Sequence, residues 1–457
     1  MGRKLPQFIA ATCVCIGALG TGTVLGWTSN ITDDLKKGKL NDLKMNDDQL
    51  GWAGSAMTLG AMVMCFPIGW IADILGRKIT VLLTVFPFTI GWLLIISAQH
   101  EAMVYVGRVL TGIGGGSFCV CAPLYTSEIS ETELRGTLGT FFQLFITIGI
   151  LFTNVFGYVL PMMAFNISCA AVPIAFAALF FFQPETPVWY LRKDKAEMAE
   201  KSMRKLRGER YDFTGELKLL QADIENEKKM TKFSEAIKTK AAKKATIICF
   251  MLMFYQQLSG INAVIFYTRE IFEAAGASLA AHWCTMIIGV VQVVATVFAA
   301  WSMDKLGRKI LLCISCGVMG FSCFLLGLFF SLKNHEVLDE GGIKNIGFLP
   351  ILAMILFIIG FSVGLGPIPW LASSEIFPPE VKAKCSSAAA TFNWFLAFCV
   401  SRFYLNVANA IGNDITFYIF AVICVTGIAF VLFVMPETKG KSFAQIVAEL
   451  EGAAAAE

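Results

Sequence analysis

Charge is scarce in this chain. Asp, Glu, Lys and Arg make up 16% of its 457 residues, against roughly 25% in an ordinary soluble domain, which excludes a water-facing globular surface. Histidine is scarcer: His100, His282 and His335 are the only three. All fall in expected outer loops or helix ends, which argues against a proton relay or a histidine-bound metal. Long polar stretches are missing, apart from one between Pro184 and about Ala245. Cysteine is present, at 14 residues, but Cys13-x-Cys15, Cys119-x-Cys121 and Cys313-x-x-Cys316 lack a neighbouring histidine or carboxylate to complete a metal site. Inside apolar runs a thiol behaves as a small hydrophobe. No metal and no cofactor are expected.

What the chain has in excess is apolar length. Hydrophobic residues reach 56%, with 39 phenylalanines, and the mean hydropathy is +0.66. A bilayer core about 30 Å thick takes a run of roughly 20 apolar residues per helix. Twelve such runs are expected, at about 8–27, 50–72, 79–98, 103–126, 137–160, 166–183, 246–267, 280–303, 310–332, 347–373, 384–405 and 412–434. The first follows Arg3 and Lys4 and could imitate a signal peptide, but no small-residue cleavage site is evident. Placing both termini in the cytoplasm puts most of the 37 lysines and arginines in inner tails and loops, as the positive-inside rule asks. The basic excess is thereby accounted for without a nucleic-acid partner. The expected setting is an integral, multi-pass protein of the plasma membrane in contact with lipid.

The polar stretch divides the runs six and six. Residues 1–183 form one half, 184–245 a cytoplasmic linker, 246–435 the second half and 436–457 a cytoplasmic tail. Within the linker, Met198, Met203 and Leu206 recur among charges at helical intervals, so short amphipathic helices are expected. The halves echo one another. Trp70 to Ile79 reads W-I-A-D-I-L-G-R-K-I and Trp301 to Ile310 reads W-S-M-D-K-L-G-R-K-I. Glu128 stands seven residues before Arg135, and Glu375 seven before Lys382. P-E-T-P at Pro184 answers P-E-T-K at Pro436. Three echoes in one order indicate duplication of a six-helix unit, an arrangement that places a site between halves able to rock about it.

These motifs carry a resemblance. The two D-x-x-G-R-K segments, Gly107-Arg108, P-x-Y-x-x-E-I from Pro123 with Arg135-Gly136, P-E-T-P-V-W ending at Trp189, Q-Q-x-x-x-x-N from Gln256 to Asn262, G-P-I-P-W ending at Trp370, and the final P-E-T-K-G together resemble the sugar porters of the major facilitator superfamily over essentially the whole chain. P-E-T-P-V-W and F-N-W ending at Trp394 look closest to the insect facilitated trehalose transporters and their hexose-carrying relatives. The resemblance implies an all-α membrane protein with twelve transmembrane helices in two pseudo-symmetric six-helix halves, able to act as a monomer.

A neutral, hydroxyl-covered sugar needs amides to orient it and aromatic faces for the apolar sides of its ring. Gln143, Gln256, Gln257, Asn262, Gln292 and Asn393 are amides in the spans, and Trp370 and Trp394 provide flat surfaces. By resemblance each matches a sugar-contacting position. Pro367 and Pro369 should interrupt span ten near Trp370, and Phe266 with Tyr267 is expected to form an outer lid. At the cytoplasmic helix ends Asp73, Arg77, Glu128 and Arg135, with Asp304, Arg308, Glu375 and Lys382, are expected to latch the inner side and release when it opens. By resemblance, Glu185 and Glu437 lie near this network, which favours an outward-open state. Lys382-Ala383 departs from the more usual Arg-Gly, and lysine cannot hold a carboxylate as a fork.

Coupling turns on another absence. No Asp or Glu occurs between Lys4 and Asp33, and the place where proton-coupled relatives carry an aspartate falls on Val24, leaving Arg108 without an acidic partner. The interiors of spans five, seven and ten are also expected to lack a carboxylate. The expectation is facilitated, passive transport of trehalose or a hexose such as glucose, with a proton-coupled symporter or a transporter-like sugar sensor as alternatives. No enzymatic nucleophile-base pair is present in the spans. Asn30-Ile-Thr32 is a glycosylation sequon just beyond span one.

Overall fold

The computed structural model describes residues 4–131, 134–208, 212–228, 232–276, 279–439, 441 and 443–451. The side chains at 135, 136, 223, 226–228, 300, 301, 303, 304, 340, 374, 379, 443 and 444 lie outside that description. The expected gating residues Arg135 and Asp304 are therefore outside it too.

Every regular element among the described residues is helical. The first six spans are α1 (Leu5–Lys36), α2 (Asp47–Leu75), the pair α3 (Arg77–Leu83) and α4 (Val85–Ile96), α5 (Glu101–Ile129), α6 (Arg135–Val159) and α7 (Met162–Phe180). Four short helices follow: α8 (Pro187–Arg192), α9 (Ala196–Arg207), α10 (Thr214–Lys228) and α11 (Phe233–Ala236). The remaining spans are the pair α12 (Lys240–Leu258) and α13 (Ile261–Ala275), then α14 (Ala281–Leu306) and α15 (Arg308–Asn334). After the short α16 (Glu340–Asn345) come the pair α17 (Leu349–Val363) and α18 (Ile368–Ile376), α19 (Pro379–Ile411) and α20 (Asn413–Phe433). The chain ends in α21 (Phe443–Glu451). Twelve spans are long and apolar enough to cross a bilayer, one for each run expected from hydropathy.

Local chemistry sets the helix ends. Asn46 caps α2 through the Gln49 N–H, and the Gln49 side chain accepts the Asn46 N–H in return, a reciprocal capping box. Two helices run farther than hydropathy alone suggested. Helix α1 continues to Lys36 and α13 to Ala275. Span ten is interrupted near Trp370, as expected: α17 stops at Val363 and α18 starts at Ile368. Trp370 thus lies in the first turn of α18, after the break.

Lipid removes the hydrophobic drive between helices, so close packing of small residues has to hold them together. A Cβ built on Gly112 of α5 would stand 1.9 Å from the Met57 carbonyl oxygen of α2, and one on Gly60 would stand 2.0 Å from the Val109 carbonyl oxygen. Helices α1 and α6 meet likewise at Gly22 and Gly149. Helices α8 and α9 pack at the end of the bundle that bears the start of α1: Arg207 Nη1 donates to the Ile129 carbonyl at 2.7 Å, and Gln7 Nε2 to Glu131 at 2.9 Å. This end is the linker face; the other is the far face. Gly112→Val should force α2 from α5 and lower stability by about 1–3 kcal/mol in thermal melts of the detergent-solubilised protein. An unchanged melting temperature would show that this contact does not hold the first six spans together.

Candidate functional site

Two spans break at mid-depth, and the amides gather at the breaks. The chain between α12 and α13 turns at Ser259 and Gly260, next to Gln256, Gln257 and Asn262. Between α17 and α18 the backbone from Gly364 to Pro367 leaves helical groups without intrahelical partners. Their partners come from neighbouring helices. Gln256 Nε2 donates to the Leu365 and Gly366 carbonyls at 2.7 and 2.9 Å, and the Leu365 N–H donates to Ser315 Oγ at 3.0 Å. Non-helical backbone at membrane depth survives only with such substitutes.

The other amides join head to tail. Asn262 Nδ2 donates to Gln257 Oε1, Gln257 Nε2 to Asn393 Oδ1 at 2.7 Å, and Asn393 Nδ2 to Gln256 Oε1 at 2.6 Å. Four expected site residues thus form one directed chain from α13 to the broken carbonyls of span ten. All four are buried. Asn262 Oδ1, at the open end, accepts no hydrogen bond from a described residue. Gln143 on α6 and Gln292 on α14 stand outside this chain, with no side-chain hydrogen bond among the described residues. Trp370 is half-buried, and Trp394 is buried, its Nε1 without a hydrogen-bond acceptor among the described residues.

At the far face the first six spans meet the last six. Arg402 of α19 donates to Asp48 of α2 at 2.5 Å and lies 4.8 Å from the Trp52 ring centroid. The Arg269 N–H donates to Ser29 Oγ at 3.3 Å, and Asn154 Nδ2 donates to the Thr285 carbonyl at 2.9 Å. Three helix pairs are thereby fastened, and the far side is closed. Phe266 and Tyr267 are fully buried just beneath this seam. The Tyr267 hydroxyl donates to the Ser401 carbonyl at 2.7 Å, its ring stacks on Tyr404, and its φ of −127° interrupts the helix.

At the linker face the duplicated sequence becomes duplicated geometry. Gly76 and Gly307 adopt φ of +102° and +87°, a region that favours glycine, and each lets a glutamate approach the helix that follows. Glu185 accepts the Lys78 N–H at 2.9 Å; Glu437 accepts those of Arg308 and Lys309 at 3.0 Å each. Carboxylates at helix N-termini are stabilised there. Arg77 Nε donates to both Glu128 oxygens at 3.0 Å and Arg77 Nη1 reaches Asp73 at 2.8 Å. Arg308 Nη2 meets Glu375 at 2.9 Å. Thr186 and Thr438 close the figure, donating to Glu128 and Glu375 at 2.5 Å each.

The two clasps differ in burial. Arg77 and Glu128 keep 1% and 8% of their side chains exposed, Arg308 and Glu375 13% and 22%. Burial pushes the Glu185 carboxyl above the ordinary glutamate range, against the pull of the Thr186 and Lys78 N–H groups. Burial acts upward on Glu437 too, but the N–H groups of Lys439, Arg308, Lys309 and Thr438 outweigh it and hold that carboxyl low.

Several expectations need correction. The described pairs Arg77–Glu128 and Arg308–Glu375 each stay within one half, so in this state they brace the halves separately and do not fasten one to the other. Glu375 is held by Arg308 and Thr438. The run expected for span seven, 246–267, holds no Asp or Glu, but its extension to Ala275 adds Glu270, both oxygens buried without a hydrogen bond among the described residues, since the facing Thr32 hydroxyl donates to the Thr28 carbonyl at 2.8 Å. The Asn30 sequon is not offered to solvent. Its amide is buried, donating to the Gly26 carbonyl and to Asn154 at 2.9 and 3.0 Å.

Arg108 is fully buried with no carboxylate among its described partners. It donates to the Ala53 and Val24 carbonyls at 2.9 and 2.8 Å and to the Thr28 hydroxyl at 3.0 Å. The threonines of P-E-T and the Asp48–Arg402 pair were missed in the sequence. The repeated P-E-T, and an arginine within an apolar run, were signals that could have found them. Arg77→Met should leave Glu128 buried and unpaired, a loss of about 3–5 kcal/mol in denaturant unfolding; a loss under about 1 kcal/mol would mean the clasp is only a surface pair.

Comparison with known proteins sets this architecture in a family. Residues 7–450 match the family model for sugar (and other) transporters. The chain is 39% identical over 449 residues to the facilitated trehalose transporter Tret1 of Aedes aegypti, across 98% of this chain and 55% of that protein. It is 38% identical over 449 residues to Tret1 of Culex quinquefasciatus, across 98% and 86%. The chain therefore spans about half the length of the Aedes relative. The inward-open xylose transporter XylE from E. coli superposes with a TM-score of 0.78 at 22% identity, covering 97% of this chain and 99% of that one, a likeness of fold. With its twelve spans, the chain is an integral, multi-pass membrane protein of the major facilitator fold and belongs to the sugar (and other) transporter family.

Proposed function

We propose that this protein is a facilitative carrier that moves trehalose or a hexose such as glucose down its gradient by alternating access. The observation that carries the reading is the directed amide chain laid across two broken helices. It is uncharged, rich in donors and acceptors, and ends at the free Asn262 oxygen. A sugar's hydroxyls would exchange into these bonds, while Trp370 and Trp394 cover its ring and Gln143 and Gln292 add contacts from α6 and α14. The two six-helix units, 1–183 and 246–435, rock about this site, joined by the 184–245 linker and followed by the 436–457 tail. Phe266 and Tyr267 act as the outer lid.

The linker face lies in the cytoplasm with both termini, in the plasma membrane, and a monomer suffices. There Asp73, Arg77, Glu128 and Glu185, with Asp304, Arg308, Glu375 and Glu437, keep each half rigid while it moves; Arg135 and Lys382 belong to the same face. Passive transport is supported by Arg108, whose charge is met by the Val24 and Ala53 carbonyls and so needs no proton-exchanging carboxylate. Glu270 favours a second reading, proton-coupled transport, because it is a buried carboxylate at the seam between halves.

Counterflow of labelled trehalose and glucose in liposomes separates these readings. Exchange of one of these sugars, unchanged by a protonophore, is expected; accumulation that collapses with the proton gradient and is lost in Glu270→Gln would establish symport. Gln257→Ala and Trp370→Ala should each weaken sugar binding about tenfold, the effect of roughly one buried hydrogen bond or ring contact. Unaltered affinity in both variants would remove the site from this position.

A further inference from the structure

The two halves repeat the same helix ends, so a place where they differ is informative. In the first half, Lys78 follows the Gly76 turn and sets its ammonium 5.4 Å from the centroid of the Phe181 ring, just past the end of α7. The second-half counterparts are Lys309 and Phe433, since Pro184 answers Pro436. These two do not close on each other. A cavity of about 430 Å³ lies between them, lined also by Lys244, Ile247 and Val434 and bounded by Glu449 of α21.

The groove has two chemistries in one place. Phe433 is 87% exposed, Ile247 57% and Val434 47%; at the end of a span these side chains face hydrocarbon. Lys244 and Lys309 stand above them at the linker face, and neither ammonium is engaged by a carboxylate among the described residues. The carboxylate in the lining, Glu449, is taken by Lys441 at 2.5 Å. Two uncommitted cations above an open apolar wall match a molecule with an anionic head and hydrocarbon chains. A free anion would have no use for the wall, and a neutral lipid none for the lysines.

We propose that this groove binds an anionic glycerophospholipid of the leaflet at the linker face, its phosphate between Lys244 and Lys309 and an acyl chain along Ile247, Val434 and Phe433. At the corresponding place in the first half, Phe181 already covers Lys78. The bound lipid abuts the second clasp, because the Lys309 N–H is one of the donors that fix Glu437. This inference does not depend on sugar transport, and its test reads lipid binding alone.

The test uses the full chain in phosphatidylcholine nanodiscs, with fluorescent phosphatidylserine titrated in. Phosphatidylserine should bind in clear preference to fluorescent phosphatidylcholine, and Lys244→Gln/Lys309→Gln should weaken it about thirtyfold, from two interfacial charges. The double arginine variant should retain binding, and Lys78→Gln should leave it unchanged. If the double glutamine variant does not fold, Lys244→Gln alone, at an exposed side chain, should still give about a fivefold loss. Equal binding of the two lipids, wild-type affinity in the glutamine variants, or displacement by millimolar inorganic phosphate would overturn the proposal, the last by making the ligand a free anion.

Discussion

A polar group enclosed by a bilayer has to find its partner in the protein, because water is not there to supply one. That constraint organises this structure. It explains why Gln256 spends its donors on the Leu365 and Gly366 carbonyls, and why Arg108 is wrapped in carbonyls and a hydroxyl. A helix can break where a neighbour offers a side chain at the right depth. The breaks in spans seven and ten, and the amides that repair them, are one feature seen from two sides.

The same constraint gives the two faces different characters. At the linker face the charged groups settle into clasps within each half: a glutamate on helix N–H groups, an arginine on a second glutamate, a threonine closing the ring. Each half is rigid there without the other. At the far face the polar contacts cross between halves, through Arg402 to Asp48, Arg269 to Ser29 and Asn154 to Thr285. In the described state these contacts join the two halves at the far face.

Duplication supplied both halves with one plan, and later divergence shows where they carry different loads. The first clasp is almost wholly buried, the second partly open. Glu185 is held above its ordinary range and Glu437 below it, since the latter collects more backbone donors. Lys78 is covered by an aromatic ring while Lys309 borders an open groove.

The sequence by itself determined the twelve spans, the linker and the paired motifs. Hydropathy needs only composition over about 20 residues, and the two decapeptides that hold Gly76 and Gly307 share seven of their ten letters in register. It also singled out Gln256, Gln257, Asn262 and Asn393 as amides within the spans. The tertiary structure alone decided what those residues touch: that the four amides bond to one another in one direction, that the arginines of the repeated decapeptides stay within their halves, and that Asn30 and Glu270 are enclosed by neighbouring helices. Periodicity along a chain fixes which residues share a helix and how deep they lie. Which helix stands opposite, and in which state of the cycle, depends on packing between segments far apart in sequence, and no local pattern encodes it.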